Sequence, residues 1–487
     1  MGSFNFCKNR IVKMGLLMGL LLIGSIIALG DTMFSFHNLF SDHMVLQRDK
    51  EIAVFGFSSA SAEVIVTFLN KKTTTITDEN CRWVAYLPKQ SAGGPYILEA
   101  ASEGIILTVN DVYIGEVWLA GGQSNMEVKL NEGRNAEYEE KNADYPLIRM
   151  FKVERAPSDT LAENVKGQWD ICTPESMKRN SAVPYMFARE LYKYLNVPIG
   201  VVNNSVGGTC AEYWVPYDYL AGNPMTQPIL DRWEKKENKS DLFWRPGGLY
   251  NGMVAPLAPF TFKGIIWWQG GYNAEKCEQF GLLSELVILG WRKLFGDIPF
   301  IYAGQPALDI RPQPNPAKYD ELRDAQLKVF KKMRKDKVGM AVTFDLSDPH
   351  DIHNPNTQAT ANRMGIIAKN IAYGASDKVY YGPTYNSFKV KGNKIIVSFD
   401  DVGSGLFLRK VGATQGYEVA GDDQAFHEAY AKIEGKNVVV WSDMVEKPVA
   451  ARYAFADNPV ASLYNLEGFA ASPFRTDNWK LKTDGLY

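Results

Sequence analysis

The chain has 487 residues, several times the usual domain size of about 100 to 150 residues, which excludes a single compact domain and predicts two to four hydrophobic cores. Hydrophobic residues make up 46% of the chain and charged residues 22%, a balance typical of a soluble globular protein and not of a disordered one. The formal net charge is only −2 at pH 7 and the sequence contains no basic block, so a nucleic-acid partner is not expected.

The first 30 residues have the pattern of a secretory signal peptide. Lys8, Arg10 and Lys13 precede an apolar run over residues 14–28, which ends in small residues. This run is shorter than the roughly 20 residues that a membrane-spanning helix needs, so a membrane anchor is the less favoured alternative. We therefore expect an exported protein, periplasmic or extracellular, with no anchor after the signal is removed.

Residues 31–110 are predicted to form a β-sandwich domain. Short segments of alternating apolar and polar residues occur at 52–56, 62–68 and 82–87, with polar, glycine or proline turns between them. A period of two is typical of antiparallel strands. Because each strand has one apolar face to bury and no helix is predicted nearby, we expect two sheets to pack on each other.

Residues 111–375 are predicted to form a doubly wound α/β domain. Apolar, strand-like runs alternate here with longer amphipathic segments, and this alternation indicates a parallel sheet covered by helices on both faces. In such a sheet, ligands bind at the carboxyl ends of the strands. The strand-like runs are 117–120, 199–202, 264–268, 299–302 and 339–344, and the helical segments are 186–195, 282–295 and 319–333.

Residues 376–487 are predicted to form a second β domain. Strand-like alternation returns at 389–399 and at 437–441, with turn signals between them. Each β domain either binds sugar or packs on the central domain, and packing is the favoured role.

Ser124 stands in the first of four unusual segments that follow predicted parallel strands. In Gly121-Gly-Gln-Ser-Asn-Met126 the chain leaves the sheet through small and polar residues. A serine in this place presents its hydroxyl and its own N–H at the sheet edge, which is what a nucleophile requires. Taken alone, however, the segment is more typical of a turn or a helix N-cap.

The second and third segments offer hydrogen-bond donors. Asn203-Asn-Ser-Val-Gly-Gly-Thr209 contains glycines that allow close approach of the backbone to a ligand, and one of its amides is a candidate oxyanion donor. In Trp268-Gln-Gly-Gly-Tyr-Asn273, the Asn273 side chain carries two further N–H groups. Each segment by itself is also compatible with an ordinary loop.

The fourth segment, Asp345-Leu-Ser-Asp-Pro-His-Asp-Ile-His353, contains two of the five histidines of the chain. His350 and His353 are the candidates for the base that Ser124 needs, since the remaining histidines, His37, His43 and His427, fall in the predicted β domains. A histidine beside a carboxylate and near an exposed serine is the acyl-transfer arrangement.

A metal site is the main chemical alternative for this fourth segment. His350 and His353, together with Asp345, Asp348 and Asp351, provide nitrogen and oxygen ligands close in sequence. This alternative leaves the other three segments unexplained, whereas an esterase uses all four. We therefore predict neither a metal nor an organic cofactor.

The four segments, in this order, resemble blocks I, II, III and V of the SGNH hydrolases, and in finer detail the sialate O-acetylesterase family of secreted bacterial enzymes. The resemblance covers nearly the whole mature chain. It rests on Val117-Trp-Leu-Ala-Gly-Gly-Gln-Ser-Asn-Met126, Gly207-Gly-Thr209, Leu249-Tyr-Asn-Gly-Met253 and Asp351-Ile-His353, and in the outer domains on residues 39–47, 418–422 and 474–479.

This resemblance implies a two-step acyl transfer. Ser124 would be the nucleophile and His353 the general base. The oxyanion donors beside the Ser124 amide would be Asn273 and Gly208, or the neighbouring Gly207.

The group that orients the base is not fixed by the resemblance. The superfamily pattern has aspartate three residues before the catalytic histidine, but this sequence has His350 there. Asp351, Asp348 and a backbone carbonyl near His350 are the candidates, and Asp351 is chosen as the third catalytic residue. The sequence also departs from the family at Gly271-Tyr272, where Glu-Ser is common, at Val206, where Trp is usual, and at Asn354, where Pro is common.

The predicted function is hydrolysis of acetyl esters on a carbohydrate, with an O-acetylated sialic acid as the favoured substrate. The alternatives are an esterase acting on acetylated xylan or another hemicellulose, and a catalytically inactive sugar-binding protein of the same fold. Four aromatic residues either stack on the sugar or belong to the core, namely Trp214, Trp267, Trp268 and Tyr272. Oligomeric state and the position of the acetyl group are not predicted.

Overall fold

The computed structural model describes residues 34–310, 318–376, 379–410 and 415–487. The predicted signal peptide lies outside these residues. Within them, none of the helices combines the length and the apolar character needed to cross a bilayer.

The N-terminal region consists of strands in two sheets, one ordered β1-β3-β6 and the other β5-β4-β7-β8, which are antiparallel except that β2 pairs parallel with β8. Val64, Val66 and Phe68 are buried while the residues between them are partly exposed, as the alternating sequence predicts. The strands are β1 (Ser35–Phe36), β2 (Val45–Gln47), β3 (Ile52–Phe57), β4 (Glu63–Phe68), β5 (Lys71–Ile76), β6 (Arg82–Leu87), β7 (Gly93–Ser102) and β8 (Ile105–Gly122).

Strand β8 connects this region to the central sheet. Its first part pairs antiparallel with β7, and residues from Glu116 onward pair parallel with a strand of the central sheet. The predicted domain boundary between residues 110 and 111 therefore falls inside a continuous strand of 18 residues. The carboxyl end of β8 pairs with a parallel strand on each side, with residues 199–205 and with residues 264–268.

The central sheet has the order β10-β9-β11-β8-β12-β13-β14, in which only β10 is antiparallel to its neighbour. Of the strands that follow β8, β9 to β11 lie on one side of it and β12 to β14 on the other, so β8 lies at the point where the strand order reverses. Ligands bind at such a point in open α/β sheets. The added strands are β9 (Tyr145–Lys152), β10 (Trp169–Cys172), β11 (Ile199–Ser205), β12 (Gly264–Trp268), β13 (Phe300–Ala303) and β14 (Val338–Ala341).

Helices α3 and α8 pack together, and so do α6 and α7. Helix α7 coincides with its predicted range. Helices α3 and α6 begin earlier than predicted, because the helix tolerates Pro184 and Gly281 near its N-terminus. The helices are α1 (Ala136–Lys141), α2 (Pro174–Met177), α3 (Ala182–Leu195), α4 (Tyr217–Leu220), α5 (Gln227–Glu234), α6 (Cys277–Phe295), α7 (Tyr319–Met333) and α8 (Thr357–Tyr373).

The C-terminal region is all β, with a seven-stranded antiparallel sheet ordered β15-β16-β20-β19-β18-β21-β23 and a two-stranded sheet of β17 and β22. The predicted alternating segment 389–399 contains a tight turn at Gly392, whose φ is +61°. The strands are β15 (Thr384–Lys391), β16 (Lys394–Asp400), β17 (Leu406–Leu408), β18 (Tyr417–Ala420), β19 (Phe426–Glu434), β20 (Asn437–Trp441), β21 (Ala450–Tyr453), β22 (Leu463–Asn465) and β23 (Phe474–Arg475). A mixed α/β fold with a large central sheet, as predicted, is confirmed.

Three of the four aromatic residues considered for sugar stacking belong to the core. Trp214 and Trp267 are buried and meet edge to face, with ring centroids 5.7 Å apart, and Trp268 is also buried. Tyr272 is different, since 57% of it is exposed. Only Tyr272 among these four can therefore meet a ligand.

Candidate active site

The candidate nucleophile stands in a short 3-10 turn, Ser124–Met126, at the carboxyl end of β8. Gly122 has a φ of +126°, and a Cβ at this position would overlap the carbonyl oxygen of Trp268, so this strand end requires glycine. The next N–H, that of Gln123, donates to the same carbonyl at 3.0 Å. These constraints bring half-buried Ser124 out of the sheet at the point where the strand order reverses.

The glycine loop that follows β11 packs against this serine. A Cβ built on Gly207 would lie 3.2 Å from the Ser124 Cβ. The Gly207 N–H, however, donates to the Glu127 carboxylate at 2.6 Å. No group in the described part of the chain accepts the Gly208 N–H, so of the two predicted alternatives the amide of Gly208 is the one left for a ligand.

The segment after β12 meets the first two segments through buried amides. The Gln269 Nε2 donates to the Thr209 carbonyl at 2.5 Å and to the Gln123 Oε1 at 3.3 Å. On the exposed side, a Cβ built on Gly208 would lie 3.8 Å from the Tyr272 hydroxyl. Tyr272 therefore borders the same opening as Gly208.

Asn273 is buried, and its side chain is largely occupied by protein partners. Its Oδ1 accepts the Ala211 N–H at 2.9 Å and its Nδ2 donates to a Glu212 carboxyl oxygen at 2.8 Å. Because the Nδ2 carries two hydrogens, one of its N–H groups is not used by the bond to Glu212. Burial raises the pKa of Glu212, and the hydrogen bond from Asn273 only partly offsets this effect.

The predicted base lies in an exposed loop after β14. The Asp351 carboxylate accepts the main-chain N–H of His353 at 2.8 Å, and Asp348 accepts that of His350 at 3.0 Å. Asp345 forms a bidentate ion pair with Arg363, at 2.6 and 2.7 Å. Across the ranges that the structure describes, neither ring nitrogen of His353 has a hydrogen-bond partner. None of these three aspartate carboxylates is therefore bonded to the imidazole.

Asn125 joins the nucleophile turn to this loop. Its Nδ2 donates to the Ile352 carbonyl at 3.3 Å, and its Oδ1 accepts the Asn354 N–H at 3.0 Å. The two partners are the residues on either side of His353. All four predicted segments are thus in contact at the carboxyl edge of the sheet.

Two cations lie beside the nucleophile turn and share one carboxylate. Lys152 Nζ is 3.1 Å from Glu127 Oε1, and Arg155 Nη2 is 2.8 Å from Glu127 Oε2. Burial acts to raise the pKa of Glu127, but Lys152, Arg155 and the Gly207 N–H outweigh it and hold the pKa below its usual value. The Arg155 side chain is 56% exposed, so it also faces solvent.

The motif Leu249-Tyr-Asn-Gly-Met253 holds the loop that carries Arg155. The Asn251 Nδ2 donates to the carbonyls of Ser158 and Asp159, at 3.4 and 3.3 Å. A Cβ on Gly252 would overlap the Ala156 carbonyl oxygen, so the loop approaches the motif as closely as glycine permits. The motif therefore fixes the position of the loop that carries Arg155.

The other three histidines are placed elsewhere. His37 is buried, and burial lowers its pKa to about 3. His43 pairs through Nδ1 with Asp111 at 2.6 Å, and His427 lies in β19. Among the residues with described positions, no three histidine, cysteine or acidic side chains are grouped in a way that could hold a metal ion.

Comparison with known proteins decides the family. Residues 114–367 match the family described as carbohydrate esterase, sialic acid-specific acetylesterase. The sialate O-acetylesterase of Mus musculus is 30% identical over 409 residues, which cover 72% of this chain and 75% of that protein, and the human enzyme is 28% identical over 414 residues, covering 74% and 75%. This chain belongs to the sialic acid-specific acetylesterase family.

A solved structure agrees with this assignment. A carbohydrate acetylesterase from Xanthomonas citri superposes with a TM-score of 0.83 at 35% identity, covering 91% of this chain and all of that one. The protein is accordingly a carbohydrate O-acetylesterase, that is, a carboxylic ester hydrolase.

The sequence did not single out three residues of this candidate site, namely Asn125, Glu127 and Glu212. Asn125 and Glu127 lie one and three residues after the candidate nucleophile, and their polarity next to an apolar strand was the available signal. Their partners lie 25 to 229 residues away in sequence, so only the folded structure reveals what they hold.

Proposed function

We propose that this acetylesterase removes acetyl groups from an O-acetylated sialic acid through an acetyl-Ser124 intermediate. The Ser124 Oγ attacks the acetyl carbonyl while His353 accepts the hydroxyl proton. His353 returns that proton to the departing sugar oxygen, and water then attacks the acetyl-enzyme with His353 again acting as base. Acetate leaves and the Ser124 hydroxyl is regenerated.

The negative charge on the tetrahedral intermediate is assigned to three donors. These are the N–H groups of Ser124 and Gly208 and the remaining N–H of Asn273. Support comes from the engagement of the Gly207 N–H with Glu127, since within the described residues the neighbouring Gly208 N–H has no such partner. Donors fixed in this way stabilise the transition state without reorganisation, and losing one typically costs about 100- to 1,000-fold in rate.

Asp351 is proposed as the residue that orients the base, acting through the main chain. Its carboxylate accepts the N–H of His353, which fixes the turn that carries the imidazole. We also propose that residues 111–375 form an SGNH hydrolase domain between a β-sandwich domain over 31–110 and a β domain over 376–487, and that the mature protein is exported to the periplasm or beyond.

The observation that carries the choice of substrate is the pair of cations beside Ser124. Lys152 and Arg155 share the single Glu127 carboxylate, so these three side chains have a net positive charge next to the Gly207–Gly208 loop. A sialic acid has a carboxylate that complements this charge, while acetylated xylan built from neutral sugars does not. Arginine suits this task, because its planar group binds carboxylates bidentately.

The test is acetate release from a panel of acetylated sialic acids and hemicelluloses by the wild type and by Arg155→Gln. We expect the variant to lose about tenfold in kcat/KM on acetylated sialic acid, the size of one charged hydrogen bond, with p-nitrophenyl acetate turnover within about twofold. Arg179→Gln is the matched control, since Arg179 is equally exposed, at 57%, and pairs with Asp170. Preference of the wild type for neutral acetylated xylan would overturn the substrate proposal, and the absence of turnover on every ester would favour an inactive sugar-binding protein.

A further inference from the structure

Asn125 lies directly after the candidate nucleophile and is almost fully buried, with 2% of it exposed. Both polar atoms of its side chain are used, and both act on the loop that carries the candidate base. The Nδ2 donates to the Ile352 carbonyl at 3.3 Å and the Oδ1 accepts the Asn354 N–H at 3.0 Å. The Asn125 side chain is thus hydrogen-bonded to the main chain on both sides of His353.

These two hydrogen bonds are important because, within the described residues, the imidazole of His353 is not itself fixed by a hydrogen bond. His353 is exposed, and within the described ranges its ring has no hydrogen-bond partner. Its position is therefore set by its backbone. That backbone has three tethers at consecutive residues, namely the two bonds from Asn125 and the bond from the His353 N–H to Asp351.

Asn354 extends the connection to helix α8. It is fully buried, its Oδ1 accepts the Asn356 N–H at 3.0 Å, and its Nδ2 lies 3.4 Å from the Thr360 hydroxyl. Thr360 is in the first turns of α8. The nucleophile turn, the base loop and this helix are accordingly linked through two buried asparagines.

From this geometry we propose that Asn125 is a positioning residue that sets the distance and direction between Ser124 and His353. The inference rests on the proposed function, in which His353 is the general base. Asn125 does not touch the substrate in this account. Since a displacement of about 1 Å in a catalytic group can cost about 100-fold in rate, loss of the tether should appear in kcat and not in KM.

The principal test is Asn125→Ala, assayed on p-nitrophenyl acetate, alone and combined with His353→Ala. We expect kcat of the single variant to fall about 10- to 100-fold with KM within about twofold. In the His353→Ala background, the same substitution should change the residual turnover by less than about twofold, because residues that act as a unit are not additive. A role in general stability would instead lower both backgrounds by the same factor.

A second variant keeps the test valid if Asn125→Ala folds poorly. Asn125→Asp retains an oxygen that accepts the Asn354 N–H but loses the N–H that donates to the Ile352 carbonyl. We expect kcat of Asn125→Asp to fall about tenfold with KM within about twofold, and its effect in the His353→Ala background to stay below about twofold. Wild-type kcat in folded Asn125→Asp or Asn125→Ala would overturn the proposal.

The outcomes also separate the two proposals. If His353→Ala retains wild-type turnover, the proposed base is wrong and the positioning role falls with it. If His353→Ala is inactive while Asn125→Ala is fully active, the proposed function stands and only the positioning role is refuted.

Discussion

Replacing Glu127 with glutamine removes one negative charge from the centre of the site and keeps the shape of the side chain. Glu127 accepts the Gly207 N–H at 2.6 Å and pairs with Lys152 and Arg155, and its side chain is only 17% exposed. A hydrogen bond to a charged acceptor contributes about 1.5 to 3 kcal/mol and a neutral one about 0.5 to 1.5 kcal/mol, so the exchange should weaken the hold on Gly207 by about 1 to 1.5 kcal/mol.

The expected consequence for catalysis is a misplaced Gly208 amide. Gly208 follows Gly207 directly, so a shift of the loop moves the proposed oxyanion donor. We expect kcat on p-nitrophenyl acetate to fall about 10- to 100-fold, less than the full loss of a donor, with KM almost unchanged.

The pH dependence supplies a second readout. The folded-state pKa of Glu127 lies below its usual value, so its contribution to stability is fully present above the unfolded pKa of about 4.3 and is lost as the pH falls through the lower folded value. Urea unfolding should therefore show Glu127→Gln to be less stable than the wild type by about 1 to 3 kcal/mol at pH 7, and this difference should shrink below about pH 4.3.

Glu175→Gln is the control for both measurements. Glu175 pairs with Lys178 on the surface, where its side chain is 82% exposed, and we expect no change in kcat from its loss. The reasoning is refuted if Glu127→Gln keeps wild-type kcat and stability, or if the stability difference is the same at pH 3.5 and pH 7.

Three further substitutions probe other parts of the account. Asp351→Asn keeps an oxygen for the His353 N–H, so we expect turnover within about tenfold of wild type, and a loss near 10,000-fold would instead make Asp351 the charged member of a conventional triad. Gly122→Ala places a Cβ against the Trp268 carbonyl at a positive φ, which should reduce the free energy of unfolding in urea by about 1 to 3 kcal/mol or more, whereas a stable, active variant would contradict the strand-end geometry. Glu139→Gln leaves the buried Arg189 without its charged partner and should cost about 3 to 5 kcal/mol in the same assay, a loss that a surface pair would not produce.

The strands and helices with strong periodicity were predictable from the sequence. Residues 264–268 and 319–333 coincide with β12 and α7, because a continuous apolar run and a period near 3.6 leave little choice of structure. The extent of β8 was not predictable. Its polar middle section at Asn110 and Asp111 reads as a boundary, whereas the strand continues through it by pairing with distant residues.

The convergence of the four predicted segments was predictable, but the contacts that connect them were not. Ser124, Gly208, Asn273 and His353 follow strands of one parallel sheet, so their convergence follows from topology. The Gly207 N–H is already bonded because Glu127, 80 residues away in sequence, lies against it. No local sequence pattern indicates this contact. The placement of Asp351 on the main chain instead of the imidazole likewise required the folded loop.

The central claim is that Ser124 forms the acetyl-enzyme of a carbohydrate acetylesterase. The most direct measurement is turnover of p-nitrophenyl acetate by the wild type, by Ser124→Ala and by the control Ser158→Ala, which changes a serine in the loop that carries Arg155. We predict that Ser124→Ala loses at least about 10,000-fold in kcat while Ser158→Ala keeps wild-type activity. Residual activity of Ser124→Ala near the wild-type level, especially if a chelator abolishes it, would contradict the account in favour of a metal-dependent hydrolase.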